Sequence, residues 1–534
     1  MKLTGAHLRL SPSDVANHLA CRHLTELNKA LAERRLDYQH AADAGLDAMR
    51  QRGFEHERRY IAALRSRGLD VVEITQDDDS LADTAASMAR GADVIAQARL
   101  GHGRWFGIAD VLRKVPKPSQ LGPFSYEPYD TKLAHETKGS AVLQLCLYCD
   151  LLEHSQGLLP EHLHVVPPGA DFPPHSFRVR DVYAYYGWVK RQFEAEVART
   201  DLDFHHYPEP VELCEVCKWG QRCTAQIRKD DHLSLVAGIT RGQRRELEEH
   251  QITRLDALAK VPLPLWKPER GSVESLTRTR EQARIQLESR LANEIRFETL
   301  ALEPGRGLFL LPEPSPGDVF FDIEGDPFVE EGGLEYLFGN ALLEQGAPRY
   351  EVIWALDRAQ EKAMFEAFVD RVMTLRAEHP GMHVYHYAAY EPSALKRLMG
   401  RYGSRENEVD QLLRGRAFVD LYSVVRQGLR VGVESYSIKR LEPLFRFDRQ
   451  VPLPEAGDAR HQLEQLLELG GATEIPDAMR ETVLGRDRPA GGRQQIPRRA
   501  LRVPEPPRQS DDVRALLSRR SRRSNRTATS LWES

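Results

Sequence analysis

The sequence predicts an α/β protein with two separate α/β regions, a helical linker between them and a C-terminal tail. Residues 1–228 mix helical patterns with two strand-like stretches, and a second α/β region opens with a strand at Asp318 and runs to about residue 485. Residues 229–317 carry helical patterns around a proline-rich hinge, VPLPLWKPERG. Hydrophobic residues make up 41% and charged residues 29% of the 534 residues, which is an ordinary balance for several folded domains.

Composition narrows the class of function. No apolar run approaches the roughly 20 residues that span a bilayer, and the N-terminus lacks the apolar core of a signal peptide. We therefore expect a cytoplasmic protein without a membrane partner. Six cysteines in such a chain favour metal-binding or core roles over a disulfide scaffold. The sequence contains no Gly-x-x-x-x-Gly-Lys-Ser/Thr phosphate loop, which argues against an ATPase motor within it.

Three segments of the first region present side chains that suit one chemistry. The segment GFEHERRY places His56 on a helix, and the strand-like WFGIADVLRKV presents Asp110. In YEPYDTK, Asp130 and Lys132 are two residues apart and therefore leave the same face of a strand. Carboxylate oxygens and a histidine nitrogen are suitable ligands for Mg²⁺ or Mn²⁺. Such a cation, with a lysine that stabilises developing negative charge, is what phosphodiester hydrolysis requires.

A helix that follows these segments adds two polar side chains. Gln144 and Tyr148 are four residues apart, lie on one helix face, and are expected to orient the substrate or the lysine. Each of these segments alone is common in proteins without a catalytic role. Glu57, beside the histidine, is interpreted as a solvated helix charge.

The ordered set G-x-x-H, G-I-A-D, D-x-K and Q-x-x-x-Y resembles the RecB-type branch of the PD-(D/E)XK nucleases over residues 1–225. The resemblance implies a restriction-endonuclease-like core and a DNA nuclease, a single-strand exonuclease or a flap-type enzyme of repair or recombination. The aspartate before the lysine stands where glutamate is commoner in that family. The implied metal ligands are His56, Asp110 and Asp130. The implied catalytic residues are Asp110, Asp130, Lys132, Gln144 and Tyr148.

Cysteines form a second candidate site. Cys214, Cys217 and Cys223 have the spacing C-x2-C-x5-C, and Cys21 stands alone near the N-terminus. Thiolates at such spacing hold zinc or an iron–sulfur cluster. For zinc, a local histidine would complete the site, and the candidates are His205, His206 and His232.

The cysteine layout also resembles RecB-like nucleases that contain an iron–sulfur cluster, with one cysteine before the nuclease core and three after it. This resemblance implies a 4Fe–4S cluster that holds the two ends of the domain together. Zinc and a site without metal remain open alternatives. Cys146 and Cys149 lie in an apolar helix and are interpreted as small buried hydrophobic residues.

The second region opens with the hydrophobic strand VFFDIEGDP, in which Asp322 and Glu324 lie two apart on one face. Glu391 and Asp420 follow in segments that join a strand to a helix. This arrangement resembles the ribonuclease H-like domain of D-E-D-D exonucleases, which use two metal ions. The final motif is expected after ETVLG, where Asp487 has no preceding tyrosine. The resemblance therefore implies an incomplete domain, and in longer relatives a superfamily 1 helicase follows.

The linker and the C-terminal tail carry less specific signals. Part of the linker, residues 230–262, loosely resembles helix-hairpin-helix elements and is equally well explained as a packing spacer. Residues 486–534 hold thirteen arginines, no lysine and five acidic residues, and are predicted to be disordered, either as a basic tail or as the product of a shifted reading frame. The expected partner is single-stranded or branched DNA. Two alternatives remain: a non-catalytic nucleic-acid-binding fragment of a nuclease–helicase, and a ribonuclease or 3′–5′ exonuclease that uses the second region.

Overall fold

The structure is a computed structural model, and it describes most of the chain up to residue 485. The described ranges are 1–5, 7–38, 44–134, 136–169, 171–201, 203–329, 332–344, 347–445, 451–468 and 475–485. The predicted tail and Asp487 lie outside them. None of the described helices is long and apolar enough to cross a bilayer.

A six-stranded mixed sheet forms the centre of the first region. Its strands, after the small hairpin β1 and β2, are joined in the order β3-β4-β5-β6-β7-β8, with β3–β4 and β6–β7 parallel and the other pairs antiparallel. The strand bounds are β1 Lys2–Thr4, β2 His7–Arg9, β3 Val71–Glu73, β4 Val94–His102, β5 Trp105–Val115, β6 Ser125–Thr131, β7 His162–Val166 and β8 His175–Arg178. The helix bounds are α1 Pro12–Ala20, α2 Arg22–Ala32, α3 Ala44–Ser66, α4 Ser80–Arg90, α5 Gly139–Gln156, α6 Val179–Ala198 and α7 Gly220–Lys229.

Helices cover both faces of this sheet. The apolar helix α5 packs on one face, and its Leu145 and Leu152 are fully buried in the larger core. The opposite face packs against α3 through Tyr60, Ile61 and Leu64. The sheet is therefore covered on both sides, and β6 is buried along almost its whole length although it contains polar residues.

Helices α8 Arg241–Glu249, α9 Leu255–Ala259 and α10 Val273–Ala292 follow and share a small apolar core of their own. Strand β9 Phe297–Thr299 pairs with the later strand β15 Leu429–Val431. Gln282 of α10 donates to the carbonyl of Val431 (2.8 Å), which ties this helical part to the second region.

A five-stranded mixed sheet forms the centre of the second region, with the order β12-β11-β10-β13-β14. Strands β12, β11 and β10 are antiparallel, and β13 and β14 continue parallel to β10. The strand bounds are β10 Val319–Asp326, β11 Leu334–Glu344, β12 Ala347–Trp354, β13 Val384–His386 and β14 Phe418–Asp420. The helix bounds are α11 Arg358–Glu378, α12 Tyr390–Tyr402, α13 Glu406–Arg414, α14 Leu421–Gly428, α15 Ile438–Leu441, α16 Leu453–Glu468 and α17 Asp477–Gly485.

The predicted fold class is confirmed, because both large sheets are mixed and both are combined with helices. In the second region α11, α12 and α13 bury Val319, Phe321 and Ile323 of β10 on one face. Asp322 and Glu324 therefore lie on the other face, since side chains alternate along a strand.

Candidate active site

Asp130 and Lys132 lie at the end of β6. Asp130 is only 1% exposed, and its Oδ2 forms an ion pair with the Nζ atom of Lys132. The backbone N–H of Lys132 donates to the carbonyl of Val166 (3.1 Å), which extends the pairing of β6 with β7. The strand alternation predicted from the sequence therefore brings the two side chains together.

Asp110 reaches the same place from the neighbouring strand β5. Its Oδ2 accepts hydrogen bonds from the backbone N–H and the hydroxyl of Thr131, each at 2.8 Å. Thr131 stands between Asp130 and Lys132, so these two bonds fix Asp110 beside the pair. The three residues are brought together by sheet pairing across 22 positions of the chain.

The charges at this point influence one another. Burial, followed by the charge of Asp110, raises the pKa of Asp130 to about 7. Burial opposes the charge on Lys132, but the nearby Asp130 and Asp110 carboxylates outweigh it and raise the lysine's pKa. Two carboxylates and one ammonium group thus leave a net negative charge in a partly buried setting, which favours a cation.

The Asp130 carboxylate is incompletely satisfied. Within the described part of the chain, its Oδ1 accepts no hydrogen bond, and Oδ2 is held by the Lys132 ammonium. Buried carboxylates without hydrogen bonds are costly, and each one calls for a specific explanation. Hard oxygen donors of this kind fit Mg²⁺ or Mn²⁺. The residues present are therefore chemically suited to such a cation.

His56 approaches from α3 and is 8% exposed. Its Nε2 lies 3.0 Å from the carbonyl oxygen of Val166, the same carbonyl that accepts from the backbone of Lys132. Burial lowers the pKa of His56, which favours the neutral ring. A neutral ring that donates Nε2–H to this carbonyl leaves Nδ1 as an acceptor, and metal-bound histidines commonly use this arrangement.

Glu57 was interpreted as a solvated helix charge, and that interpretation is wrong. Burial, followed by the charge of Asp110, raises the pKa of Glu57 to about 7, and Lys132 acts in the opposite direction. Its Oε1 accepts a hydrogen bond from the side-chain amide of Gln97 on β4. The sequence signal that places Glu57 near the site is its position next to His56, on the helix that packs across the sheet.

Gln144 and Tyr148 lie on the face of α5 that meets the same strands. Tyr148 is 4% exposed and donates its hydroxyl to the carbonyl of Ile108, two residues before Asp110. Burial raises the pKa of Tyr148, and the charges of Asp130 and Asp110 add to the shift, while Gln144 hydrogen-bonds to the hydroxyl. The six side chains predicted for this site therefore lie in one neighbourhood.

The predicted metal ligands are not closely grouped. Across the described ranges, one set of three His, Cys, Asp or Glu side chains has its ligand atoms within 4.8 Å of one another, namely Glu26, Glu196 and His206. Glu26 accepts hydrogen bonds from the backbone N–H groups of His205 (2.7 Å) and His206 (3.2 Å), so it closes a turn. The ligand atoms of His56, Asp110 and Asp130 are more widely spaced than in that group.

The four predicted cysteines line one cavity of about 70 Å³ between the start of α2 and the segment 208–227. Burial raises the pKa of Cys223 to about 11, and the charges of the other three thiols add to it. Among the described residues no three of these sulfur atoms lie within 4.8 Å of one another. Cys146 and Cys149 are fully buried in the core under α5, so their interpretation as core residues is confirmed.

The acidic residues predicted for the second region are used in different ways. Asp420 caps α14: its carboxylate accepts from the backbone N–H groups of Ala388 (2.9 Å) and Tyr422 (3.0 Å) and from the hydroxyl of Ser423. Glu391 is 3% exposed, and its Oε2 lies 3.5 Å from Nδ1 of His386. Asp322 is exposed and Glu324 is half-buried on β10.

An acidic pocket near these residues was not predicted. Asp326, at the end of β10, is 2% exposed and faces Glu468 of α16. Burial, followed by the contact with Asp326, raises the pKa of Glu468 to about 7, and Arg52 of α3 forms ion pairs with both carboxylates. Asp326 could have been found by extending the alternation of Asp322 and Glu324 by one more step.

Comparison with known proteins gives one result for the second region. The family model RNase_H_2, of the RNase H superfamily, matches residues 319–458. A search of curated proteins found no match. The superfamily match indicates a nuclease-type hydrolase that acts on phosphodiester bonds, a class that typically uses Mg²⁺ or Mn²⁺. The resemblance of residues 1–225 to RecB-type nucleases stays a prediction. Residues 319–458 of this chain are thus similar to the RNase H superfamily.

Proposed function

We propose that the chain is a metal-dependent nuclease of RecB type whose hydrolytic site is formed by Asp110, Asp130 and Lys132. The single observation that carries the proposal is Oδ1 of the buried Asp130 carboxylate, which accepts no hydrogen bond in the described part of the chain. An ordinary Asp–Lys ion pair lies at the surface, where water satisfies both groups. Asp130 is 1% exposed, so that explanation does not apply.

The side chains around Asp130 have separate roles in this proposal. Asp110 and Asp130, with Nδ1 of His56, would hold Mg²⁺ or Mn²⁺. The cation, when bound, neutralises charge on the phosphate and lowers the pKa of a water nucleophile. Lys132 stabilises the negative charge that develops on the phosphate oxygens.

The proposed substrate is DNA, single-stranded or branched, and the setting is repair or recombination. These finer assignments come from the family resemblance of the N-terminal segments. A superfamily 1 helicase is the proposed protein partner, because the chain itself has no phosphate loop. The proposed cellular location is the cytoplasm.

The four cysteines are proposed to hold a 4Fe–4S cluster. Four tetrahedral thiolates at about 2.3 Å from one zinc ion would lie about 3.8 Å apart. The sulfur atoms of Cys21, Cys214, Cys217 and Cys223 are more widely spaced than such a tetrahedron allows, since no three of them, all within the described ranges, fall within 4.8 Å of one another. A cluster with four irons accommodates wider spacing, and it would join the start of α2 to α7 and the segment before it.

The test of the cysteine proposal is an absorbance spectrum and a metal analysis of anaerobically purified protein. We expect a brown protein with about four irons per chain, and we expect Cys21→Ala to lose both the colour and the iron. Stoichiometric zinc in a colourless protein would contradict the iron–sulfur cluster. That result would not affect the proposal for the hydrolytic site, which has a separate test.

The test of the hydrolytic site is cleavage of 5′- and 3′-labelled single-stranded and flap DNA in Mn²⁺. Asp130→Ala and Lys132→Ala should each lower the rate by at least about 10²-fold. Asp93→Asn is the matched control, because it disrupts another Asp–Lys pair of the same sheet, at Lys114, that is about one-third exposed. Cleavage by either site variant at the unsubstituted rate would contradict the proposal.

A second candidate function is nuclease activity of the second region, and the superfamily match favours it. In that case Asp322→Ala removes cleavage while Asp130→Ala retains it. Both RNA and DNA should then be tested as substrates. Binding of labelled DNA without any cleavage by the unsubstituted chain would favour the non-catalytic alternative.

A further inference from the structure

Strands β4 and β5 depart from regular geometry at one row, beside Asp110. Ala96 pairs with Val111 and Ala98 pairs with Ala109, so Gln97 lies opposite Asp110. Gln97 has φ +54°, in the left-handed region that residues other than glycine rarely adopt. Strain of this kind persists only where the surrounding structure holds it, and it is concentrated at functional sites.

The irregular row changes which face the side chains occupy. Ile95 and Ala98 both contribute to the core under α5, although an odd spacing should place them on opposite faces. On β5, Ala109 belongs to the core under α5 and Val111 to the core under α3, although residues two apart should lie on the same face. The alternation therefore shifts on both strands at the row of Gln97 and Asp110.

The side chain of Gln97 reaches α3. Its amide donates to Oε1 of Glu57, and its own carbonyl accepts from the side chain of Gln76 (2.8 Å). Glu57 is the residue after His56, so the two side chains reach the sheet from adjacent positions of one helix. The strained residue thus holds a third carboxylate, which interacts electrostatically with Asp110.

We propose that Glu57 is a third carboxylate ligand of the cation at Asp110 and Asp130, and that Gln97 is the positioning residue that aims it. This rests on the proposed function of that site. The sign of a ligand, shared with the proposed function, is Oδ1 of Asp130, which is buried and accepts no hydrogen bond within the described part of the chain. Three carboxylates and a histidine nitrogen offer enough donors for Mg²⁺ or Mn²⁺, which are otherwise completed by water and phosphate oxygens.

Calorimetric titration of the full chain with Mn²⁺, in the absence of DNA, tests this proposal. Glu57→Gln keeps the size of the side chain and should weaken Mn²⁺ binding at least about tenfold. Gln97→Gly keeps the left-handed backbone at no steric cost but removes the amide, and should weaken binding about tenfold. Glu55→Gln is the matched control, because Glu55 forms exposed ion pairs with Arg58 and Arg59 on the same helix and should bind Mn²⁺ unchanged.

A second readout separates ligation from a structural role. The metal-free melting temperature of Glu57→Gln should equal that of the unsubstituted chain, and raised Mn²⁺ should restore its DNA cleavage. Unchanged Mn²⁺ affinity in Glu57→Gln, with binding lost in Asp130→Asn, overturns this proposal and leaves the proposed function standing. Unchanged affinity in Asp130→Asn overturns both.

Discussion

The two α/β regions both place acidic side chains at the end of a strand, but they neutralise those side chains differently. In the first region Asp130 has Lys132 on Oδ2 and no hydrogen-bond partner on Oδ1 among the described residues. In the second region Asp420 accepts from two backbone N–H groups and a hydroxyl, while Asp326 and Glu468 share Arg52 and each keep one oxygen without a hydrogen bond in the described ranges. A carboxylate with an unsatisfied oxygen and a single lysine partner, as at Asp130, is suited to an external cation, while one that the chain satisfies itself, as at Asp420, is suited to holding the fold.

The largest expected effect comes from removing Arg52, the side chain that forms ion pairs with both Asp326 and Glu468. Arg52→Ala leaves the buried Asp326 and Glu468 facing each other, so the free energy of unfolding should fall by about 3 kcal/mol. Arg50→Ala on the same helix removes an exposed pair with Asp47 and should change it by less than about 1 kcal/mol. Urea unfolding of both variants measures the difference, and equal effects would contradict the pocket's role.

The first region should instead respond to an added cation. Mn²⁺ at about 100 times its dissociation constant should raise the free energy of unfolding by about 2.7 kcal/mol, because it binds the folded chain. Asp130→Asn should lose this increase, and Asp326→Asn should retain it. Thermal melting with and without Mn²⁺ measures both, and an equal gain in the two variants would remove the distinction between the regions.

The pH dependence of the metal-free protein should show the same distinction. The pKa of Asp130 is about 7 in the folded chain, against 3.8 without the fold, so between these values the folded state binds more protons. The free energy of unfolding therefore falls as pH rises through this range, by at most about 1.4 kcal/mol per pH unit from this group. Asp130→Asn should flatten the profile, and a profile that keeps its slope would contradict the raised pKa of the buried Asp130 carboxyl.

The smallest expected effect concerns the helix cap in the second region. Asp420→Ala removes the acceptor for the backbone N–H of Tyr422 at the start of α14 and for that of Ala388 before α12, and should cost about 1 kcal/mol of stability. The matched comparison is Asp130→Asn without metal, which removes a buried charge whose ionic partner is Lys132 and should cost less than Asp420→Ala. A stability loss on Asp130→Asn as large as that on Asp420→Ala would show that both carboxylates are structural.

Sequence reasoning reached those parts of the site that depend on local period. Asp130 and Lys132 follow from strand alternation, and Gln144 and Tyr148 follow from helical spacing. Asp110 and His56 needed the family resemblance, because sheet pairing over long separations cannot be read from spacing. The α/β class likewise follows from the alternating patterns.

Other features depended on tertiary context that the sequence does not display. Glu57 resembles any exposed helix charge until the packing of α3 on the sheet is known, and the left-handed backbone of Gln97 has no sequence signal. Arg52 meets Glu468 across 416 positions of the chain. Long-range contacts of this kind are set by how the two regions pack, so residue type alone could not predict them.

The most direct test of the central claim, that Asp130 is left incompletely paired in order to bind a cation, is to locate Mn²⁺ in crystals of the full chain. Anomalous diffraction at the manganese edge should give a peak between the carboxylates of Asp110 and Asp130 and none there in Asp130→Asn. Peaks only in the second region, at a Mn²⁺ concentration that supports cleavage, would contradict the claim.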